Sequence, residues 1–545
     1  MPATGPDAGA LGSPTETSPL LGDSLGQNAA NQDAENGHED ENGSELRAVA
    51  KKMHVIFPAV GLGVYMVAID QLLTVATYAK IGNELNALNS TSWIATAYFL
   101  TLTSCQPLYG KLSDIFGRKP CLLFSYSVFA LGCLGCGLAR SMGELCAARA
   151  VAGIGGGGMN SVVSILLSDL VPLRERGVWQ GYINILWAAG TSTGAPLGGL
   201  LADSIGWRWS FLGQVPLCFV AFFAVYFVLD LPPVSHDHWL TRMRQIDFLG
   251  AFTLVVAVVA LLIGLDSGSN LGWTHIITMI ALSLTPALFA LFVFVEIKVA
   301  SNPFAPGHII FDHSLFACYL ANFFGVAGQM AIIFFMPLFF QAVQGNSATQ
   351  SGALLVPGMI AGVLASLSGG WWIKRTGRFY WVTVSGYGVL LFALLPLILS
   401  VLFRSTPGEV LGLVITSLGA GCGITTTLVA LLANAAVEDT AVVIACSYLF
   451  RSLGSSIGIS TGSAVLQQVL RTQLAARLPN GDEARRIEDK VRQNLDYIKE
   501  LPPHIADQVR SSYQAATLGA FALILVYLTT SFLVTFWIKE RPLKR

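Results

Sequence analysis

The sequence predicts an all-α membrane protein with fourteen transmembrane helices, and three observations carry that reading. Only 12% of its 545 residues are charged, against about 25% in an ordinary soluble domain, while 53% are hydrophobic and the mean hydropathy is +0.60. Apolar runs of about 18 or more residues recur along the chain, each long enough to cross a hydrocarbon core of roughly 30 Å as a helix. The short alternating segments of a membrane β-barrel are absent. A formal net charge of −1 supplies no global field for nucleic acid, so no nucleic-acid partner is expected.

Residues 1–50 hold nine Asp/Glu against one Arg and are rich in Gly, Ala, Asn and Ser. They have too little apolar surface to fold, so they read as a disordered acidic cytosolic tail. The first apolar run starts at Met53 and reaches about residue 79, too late and too long for a cleaved signal peptide, so it stays as a span. The remaining spans fall near 91–112, 119–139, 142–168, 178–202, 210–230, 247–266, 274–296, 314–341, 349–373, 380–403, 408–434, 440–468 and 513–538. An even number of spans puts both termini on one side. Lys111, Arg118, Lys119, Arg174, Arg176, Arg242, Arg244, Lys374, Arg375 and Arg378 all lie in loops on that side, which marks it as the cytosol. On the other side the segment 471–512, with the stretch "DEARRIEDKVRQNL", reads as a long amphipathic hairpin.

An internal echo organises the spans. Gly110, Gly117 and Arg118 recur as Gly370, Gly377 and Arg378, and Gly190, Gly194 and Gly198 recur as Gly454, Gly458 and Gly462. Two motifs shifted by nearly one distance predict two six-helix bundles related as parallel repeats, at 51–232 and 301–540, with two inserted helices in 233–300 and a short cytosolic tail at 541–545.

An ionisable side chain costs about 2.5–3.5 kcal/mol at the centre of a membrane helix, so each one is a functional candidate. Asp70 lies 17 residues after Met53, about 25 Å along its helix. A carboxylate in low dielectric favours its neutral form, which lets it load and release a proton near neutral pH, and a cationic substrate competes for the same charge. The alternative is a carboxylate kept for packing. Arg149 sits seven residues into span four and Arg451 eleven into span thirteen; neither can deprotonate, so each is expected to pair with a carboxylate or carbonyl, the alternative for Arg149 being a side chain that snorkels toward the nearby surface. Asn160, Asn184, Tyr319 and Asn322 are the candidate substrate-binding groups, with Gln214, Gln329, Asn434, Tyr98, Trp187 and Tyr448 as further polar or aromatic candidates.

Several motifs exclude other chemistries. All nine cysteines lie in apolar runs and read as small hydrophobes, Cys133 and Cys136 included, and His236 and His238 beside Asp237 read as part of a solvated linker, with metal binding the alternative, so no metal site is expected. "GIGGGG" at Gly153 to Gly158 lacks the Lys-Ser/Thr of a phosphate loop and lies in an apolar helix, where small residues let helices approach closely. No nucleophile, base or cofactor constellation marks an enzyme. "NST" at Asn89 is a glycosylation acceptor on the non-cytosolic side.

"GKLSDIFGRK" resembles the loop between spans two and three of the major facilitator superfamily. "LCAARAVAGIGGGG" resembles the span-four arginine motif of that family and "GTSTGAPLGG" its span-five antiporter motif. Fourteen spans resemble the drug:proton antiporter branch, and "GIGGGGMNSVVSILLSDLVPLRERG" and "ADSIGWRWSFLGQVP" resemble the fungal vacuolar basic amino acid transporters within it. The resemblance implies a major facilitator fold and proton exchange for lysine, histidine or arginine at the vacuolar membrane. The alternative is drug or toxin efflux at the plasma membrane. It implies a cytosolic latch of Gly110, Asp114, Gly117, Arg118 and Lys119 that forms when the halves meet there, and a packing motif of Gly190, Gly194, Pro196 and Gly198. "ETSPLL", with Glu16 before Leu20 and Leu21, resembles an acidic dileucine signal for a vesicle-sorting adaptor.

Overall fold

The computed structural model describes residues 53–171, 176–231, 248–299, 309, 312–436, 440–478 and 482–541. Glu16, Leu20, Leu21, His236 and His238 lie outside the described residues, as do the side chains of Asp114 and Asn184. Among the described residues the secondary structure is helical, without strands. In hydrocarbon every backbone N–H and C=O needs a partner within the chain, and a helix supplies it locally.

The first half contains α1 (Met53–Glu84), α2 (Ser92–Phe116), α3 (Arg118–Leu138), α4 (Met142–Leu170), α5 (Arg176–Ser204), the short α6 (Arg208–Leu212) and α7 (Gln214–Val228). Two further helices follow, α8 (Phe248–Asn270) and α9 (Ile276–Phe294). The second half contains α10 (His313–Ala342), α11 (Ala348–Ala353), α12 (Val356–Thr376), α13 (Tyr380–Phe392), α14 (Leu394–Phe403), α15 (Thr406–Asn434), α16 (Thr440–Arg477), α17 (Asp482–Gln493) and α18 (Pro503–Thr535). Helix occupies each of the fourteen apolar runs, and among the described residues eleven stretches are long and apolar enough to cross a membrane by length and composition. The polar segment before α18 is shorter than its charge suggested. α16 runs on to Arg477 and α18 begins at Pro503, so the membrane helices themselves extend beyond the apolar stretches. Between them α17 is pinned by Arg492, which donates to Gln467 Oε1 at 3.3 Å, and by the Tyr513 hydroxyl, which donates to the Val491 carbonyl at 2.8 Å.

The echo in sequence is an echo in packing. A Cβ at Gly190, Gly194 or Gly198 on α5 would lie 2.7, 2.6 or 2.7 Å from the carbonyls of Tyr65, Ile69 or Leu73 on α1. Gly454 and Gly458 on α16 press in the same way against Phe323 and Ala327 on α10, so the fifth helix of each half lies on its first. α4 packs between α2 and α3 through glycine contacts at Tyr98, Leu102 and Phe129, as α15 packs against α12 and α13 through Gly419, Gly421 and Gly423. At the α2–α3 joint, Gly117 takes φ 91°, a conformation that favours glycine. α9 turns Ile276, Met279, Ile280, Leu284 and Leu291 outward, the exposure expected of a lipid-facing helix.

One hydrophobic core runs through both halves, but a second, smaller one is confined to the end of the second half around Tyr319, Ile373, Phe379, Leu431 and Val443. That end also carries Lys374, Arg375 and Arg378, as the corresponding end of the first half carries Arg118 and Lys119; we refer to it as the basic end. A third cluster, Leu100, Leu254, Val258, Leu262 and Leu449, fastens α8 to α2 and α16.

Candidate functional site

Asp70 is not a solitary acid. Arg149 Nη1 stands 2.7 Å from its Oδ2 and 3.0 Å from its Oδ1, and both side chains are essentially solvent-free. Gln214 Nε2 donates to Asp70 Oδ1 at 3.2 Å, and Arg149 Nε donates to the Ile94 carbonyl at 3.2 Å. The guanidinium also lies over the Tyr98 ring, 4.3 Å from its centroid. The close glycine contacts bring four helices to one point: α5 presses α1 inward below Asp70, while Gly153 lets α4 meet α2 beside Arg149. Arg149 thus contacts both a carboxylate and a carbonyl and is buried rather than turned toward the surface.

Chemically, this pair is a high-stakes contact. Arg149 keeps its charge, so a proton on Asp70 leaves a buried guanidinium without a counter-charge, held by the Ile94 carbonyl and the faces of the Tyr98 and Phe211 rings. Neither a proton nor a cargo cation replaces Arg149 at Asp70 without a rearrangement.

The other sequence candidates fall into separate groups. Tyr319 stacks on Phe450 at 5.1 Å, and Arg451 lies over the Tyr448 ring at 5.3 Å, so these residues gather on α10 and α16. Asn322 is fully buried and committed: its Nδ2 donates to Ser447 Oγ at 3.2 Å and its Oδ1 accepts from the Tyr387 hydroxyl at 3.2 Å. Asn160 is half-buried on α4, eleven residues or about three turns beyond Arg149. Asn434 ties α15 to the Lys539 carbonyl, and Asn89 sits in the turn between α1 and α2.

In the α2–α3 loop, Arg118 Nε donates to Asp169 Oδ2 at 3.0 Å and Nη1 to Ser113 Oγ at 2.6 Å, while Lys119 lies over the Tyr226 ring at 5.4 Å. These described contacts stay within the first half. Asp169, at the end of α4, is the acid that sequence reasoning passed over; its signal is a carboxylate that closes the apolar run of span four.

Among the described residues, the hydrogen bonds between the halves all lie away from the basic end. The Tyr78 hydroxyl donates to the Phe334 carbonyl at 2.7 Å, and their rings stack at 4.2 Å. Thr96 Oγ1 and Ser460 Oγ share a hydrogen bond of 2.8 Å. Asn83 Oδ1 accepts from the Leu495 amide at 2.6 Å, which fastens the segment before α18 onto α1. Asp203, at the last turn of α5, accepts at Oδ2 from the Thr349 amide at 2.8 Å and the Thr349 hydroxyl at 2.5 Å, and pairs with Lys80 at 3.1 Å. Burial alone pushes the Asp203 carboxyl up, but the Thr349 and Lys80 contacts outweigh it and hold it below its ordinary value.

A carboxylate with a lowered pKa contributes its full share above its ordinary range and loses it only as pH falls through the lowered value. Acidification from about pH 7 to about pH 5 on that side is therefore expected to leave this contact intact. Thiol labelling of Thr349→Cys gives no comparison, because it removes the hydroxyl's part of the contact; labelling of Ala348→Cys does. Its rate is expected to be flat over that range in the otherwise native chain and to rise several-fold in Asp203→Asn.

Residues 60–459 match the Major Facilitator Superfamily. The chain belongs to this family. It is therefore a multi-pass membrane transporter, and the major facilitator fold read from its motifs is the fold it has. The vacuolar membrane amino acid uptake transporter fnx2 of Schizosaccharomyces pombe is 39% identical over 491 residues, 90% of this chain and 84% of its own length. Multidrug resistance protein fnx1 of the same organism is 36% identical, covering 89% of this chain and 92% of its own length. Vacuolar basic amino acid transporter 2 of Saccharomyces cerevisiae is 30% identical, over 81% of this chain and 98% of its own length. Among solved structures, an inward-facing bacterial homologue of the human lysosomal transporter Spinster superposes with a TM-score of 0.59 at 15% identity, over 89% of this chain and 97% of that one. That likeness concerns the fold alone.

Proposed function

We propose that this superfamily member is a proton-coupled antiporter that moves basic amino acids, lysine, histidine or arginine, across the vacuolar membrane. The buried Asp70–Arg149 pair is the observation that supports it best. One carboxylate serves three cations in turn: Arg149 when no cargo is present, a proton, and the cationic substrate. Because the three exclude one another, arrival of one favours departure of another, which is exchange. Arg149 falls back on the Ile94 carbonyl and the Tyr98 ring while Asp70 is neutral or occupied. The aromatic and polar groups near Arg451 and Tyr319 are the second half's candidate contacts to the cargo.

In this reading the contacts of Tyr78, Thr96, Asn83 and Asp203 close the lumenal side, and the Arg118 loop engages the second half when the cytosolic side closes. Glu16, Leu20 and Leu21 would give the acidic tail its vacuolar address through a sorting adaptor. The similarity to fnx1 favours a second reading, proton-driven export of drugs or toxins at the plasma membrane.

Labelled lysine offered to isolated vacuolar vesicles separates the two. On addition of ATP the vesicles are expected to accumulate lysine, and to lose that accumulation when a protonophore collapses the gradient. Vesicles with the protein present but no ATP-stimulated lysine uptake would sink the amino acid reading and leave the exporter.

A further inference from the structure

α8 is one of two helices outside the repeated halves, and it brings a carboxylate to the junction between them. Asp266 lies 18 residues along α8, one turn from its far end, where it lines a cavity of about 10 Å³ with Ser92, Trp93, Leu262, Ser460 and Ser463. That volume suits a single water molecule, and the carboxylate and three serine hydroxyls supply the two to four polar partners that a confined water needs. The cavity belongs to both halves, since Ser92 is on α2 and Ser460 on α16, and it adjoins the Thr96–Ser460 hydrogen bond.

It also adjoins the buried pair. Ser92 and Trp93 immediately precede Ile94, whose carbonyl accepts from Arg149 Nε at 3.2 Å. Asp266 and Arg149 both lie within electrostatic reach of Cys146 on α4.

We propose that Asp266 is a proton-loading residue on the lumenal side: with Ser92, Ser460 and Ser463 it takes up a proton from water and relays it toward the Asp70–Arg149 pair. The proposal rests on the proton-exchange reading above. The proton leaves a lumenal hydronium for the Asp266 carboxylate, passes to the confined water, and neutralises Asp70 when Arg149 withdraws to Ile94. No electron transfer is involved, and each carboxylate returns to its charged form as the proton moves on.

The titratable and charged groups within about three turns of the cavity along the surrounding helices are Tyr98 on α2, Glu144, Cys146 and Arg149 on α4, Arg451 and Arg471 on α16, and His275 after α8; α9 brings none. Glu144 is occupied at the start of α4, where it accepts from the Arg140 amide at 2.8 Å. Asp266 is thus the carboxylate of the cavity itself.

The test uses the full chain in vacuolar vesicles, comparing wild type, Asp266→Asn and Asp266→Glu. Two rates are measured for each: lysine uptake driven by a pH gradient across a series of lumenal pH values, and lysine counterflow, which needs no net proton movement. Asp266→Asn is expected to lower gradient-driven uptake about tenfold and flatten its pH profile, with counterflow within about twofold of wild type; Asp266→Glu is expected to restore the pH dependence.

Unchanged gradient-driven uptake in Asp266→Asn would overturn the proposal. So would an equal loss of uptake and counterflow in correctly localised protein, because that pattern belongs to a structural role. Dependence of wild-type uptake on sodium at constant pH would replace the proton by a metal cation and overturn it too. A wild type that shows lysine counterflow but no response to the pH gradient refutes the proton-exchange reading itself, an outcome distinct from all of these.

Discussion

Asp70→Asn is expected to abolish gradient-driven transport and to destabilise the protein by about 3–5 kcal/mol, because it leaves Arg149 buried without a counter-charge. The two losses have different causes, and a double variant separates them. Asp70→Asn/Arg149→Met removes both charges and fills the guanidinium's space with a flexible apolar side chain. Its thermal stability in detergent is expected to recover most of the loss, as replacement of buried ion pairs by apolar residues often does, while gradient-driven uptake stays absent. Full transport by the double variant would show that the pair holds the bundle together and does nothing else. Full transport by Asp70→Asn alone would remove the carboxylate from the coupling scheme.

Thr96→Cys/Ser460→Cys is expected to lock the halves together away from the basic end. The native hydroxyl oxygens are 2.8 Å apart, and cysteine sulfurs on the same Cβ atoms fall within reach of the about 2.0 Å bond of a disulfide. Under oxidant, net lysine flux is expected to fall by about tenfold or more and to return with reductant, because alternating access requires this end to open. Wild type supplies the control, since its own nine cysteines are free thiols within the helices. A double variant that is oxidised to completion and still transports at the native rate would mean that this contact persists through the cycle.

The helices were legible because hydrocarbon imposes one rule on every span: enough apolar length, and backbone groups satisfied within the helix. The glycine ladders were legible for a related reason. Gly190, Gly194 and Gly198 stand one turn apart, and that spacing already puts them on a single helix face. The offset between motifs is what predicts the repeat.

The partners of charged groups were not legible. Asp70 and Arg149 were each singled out, but no local pattern joins two residues 79 positions apart. Arg118 carried a motif, but its partner Asp169 lay in a different run. The polar segment before α18 hid its helical extensions because charge reports where lipid ends, whereas Arg477 and Pro503 mark where helix ends.

Sequence by itself determined the membrane class, the helices, their glycine faces and the family motifs, because these depend on composition and on spacing within one helix. Tertiary structure alone decided that Asp70, Arg149, Gln214 and Ile94 meet at one buried point, that Asp203 reaches Thr349 across the halves, and that Asp266 lines a cavity both halves share. The physical reason is that helix periodicity fixes which residues share a face but not which face of another helix it will meet; that choice is made by close packing of whole helices, over separations along the chain that no local pattern records.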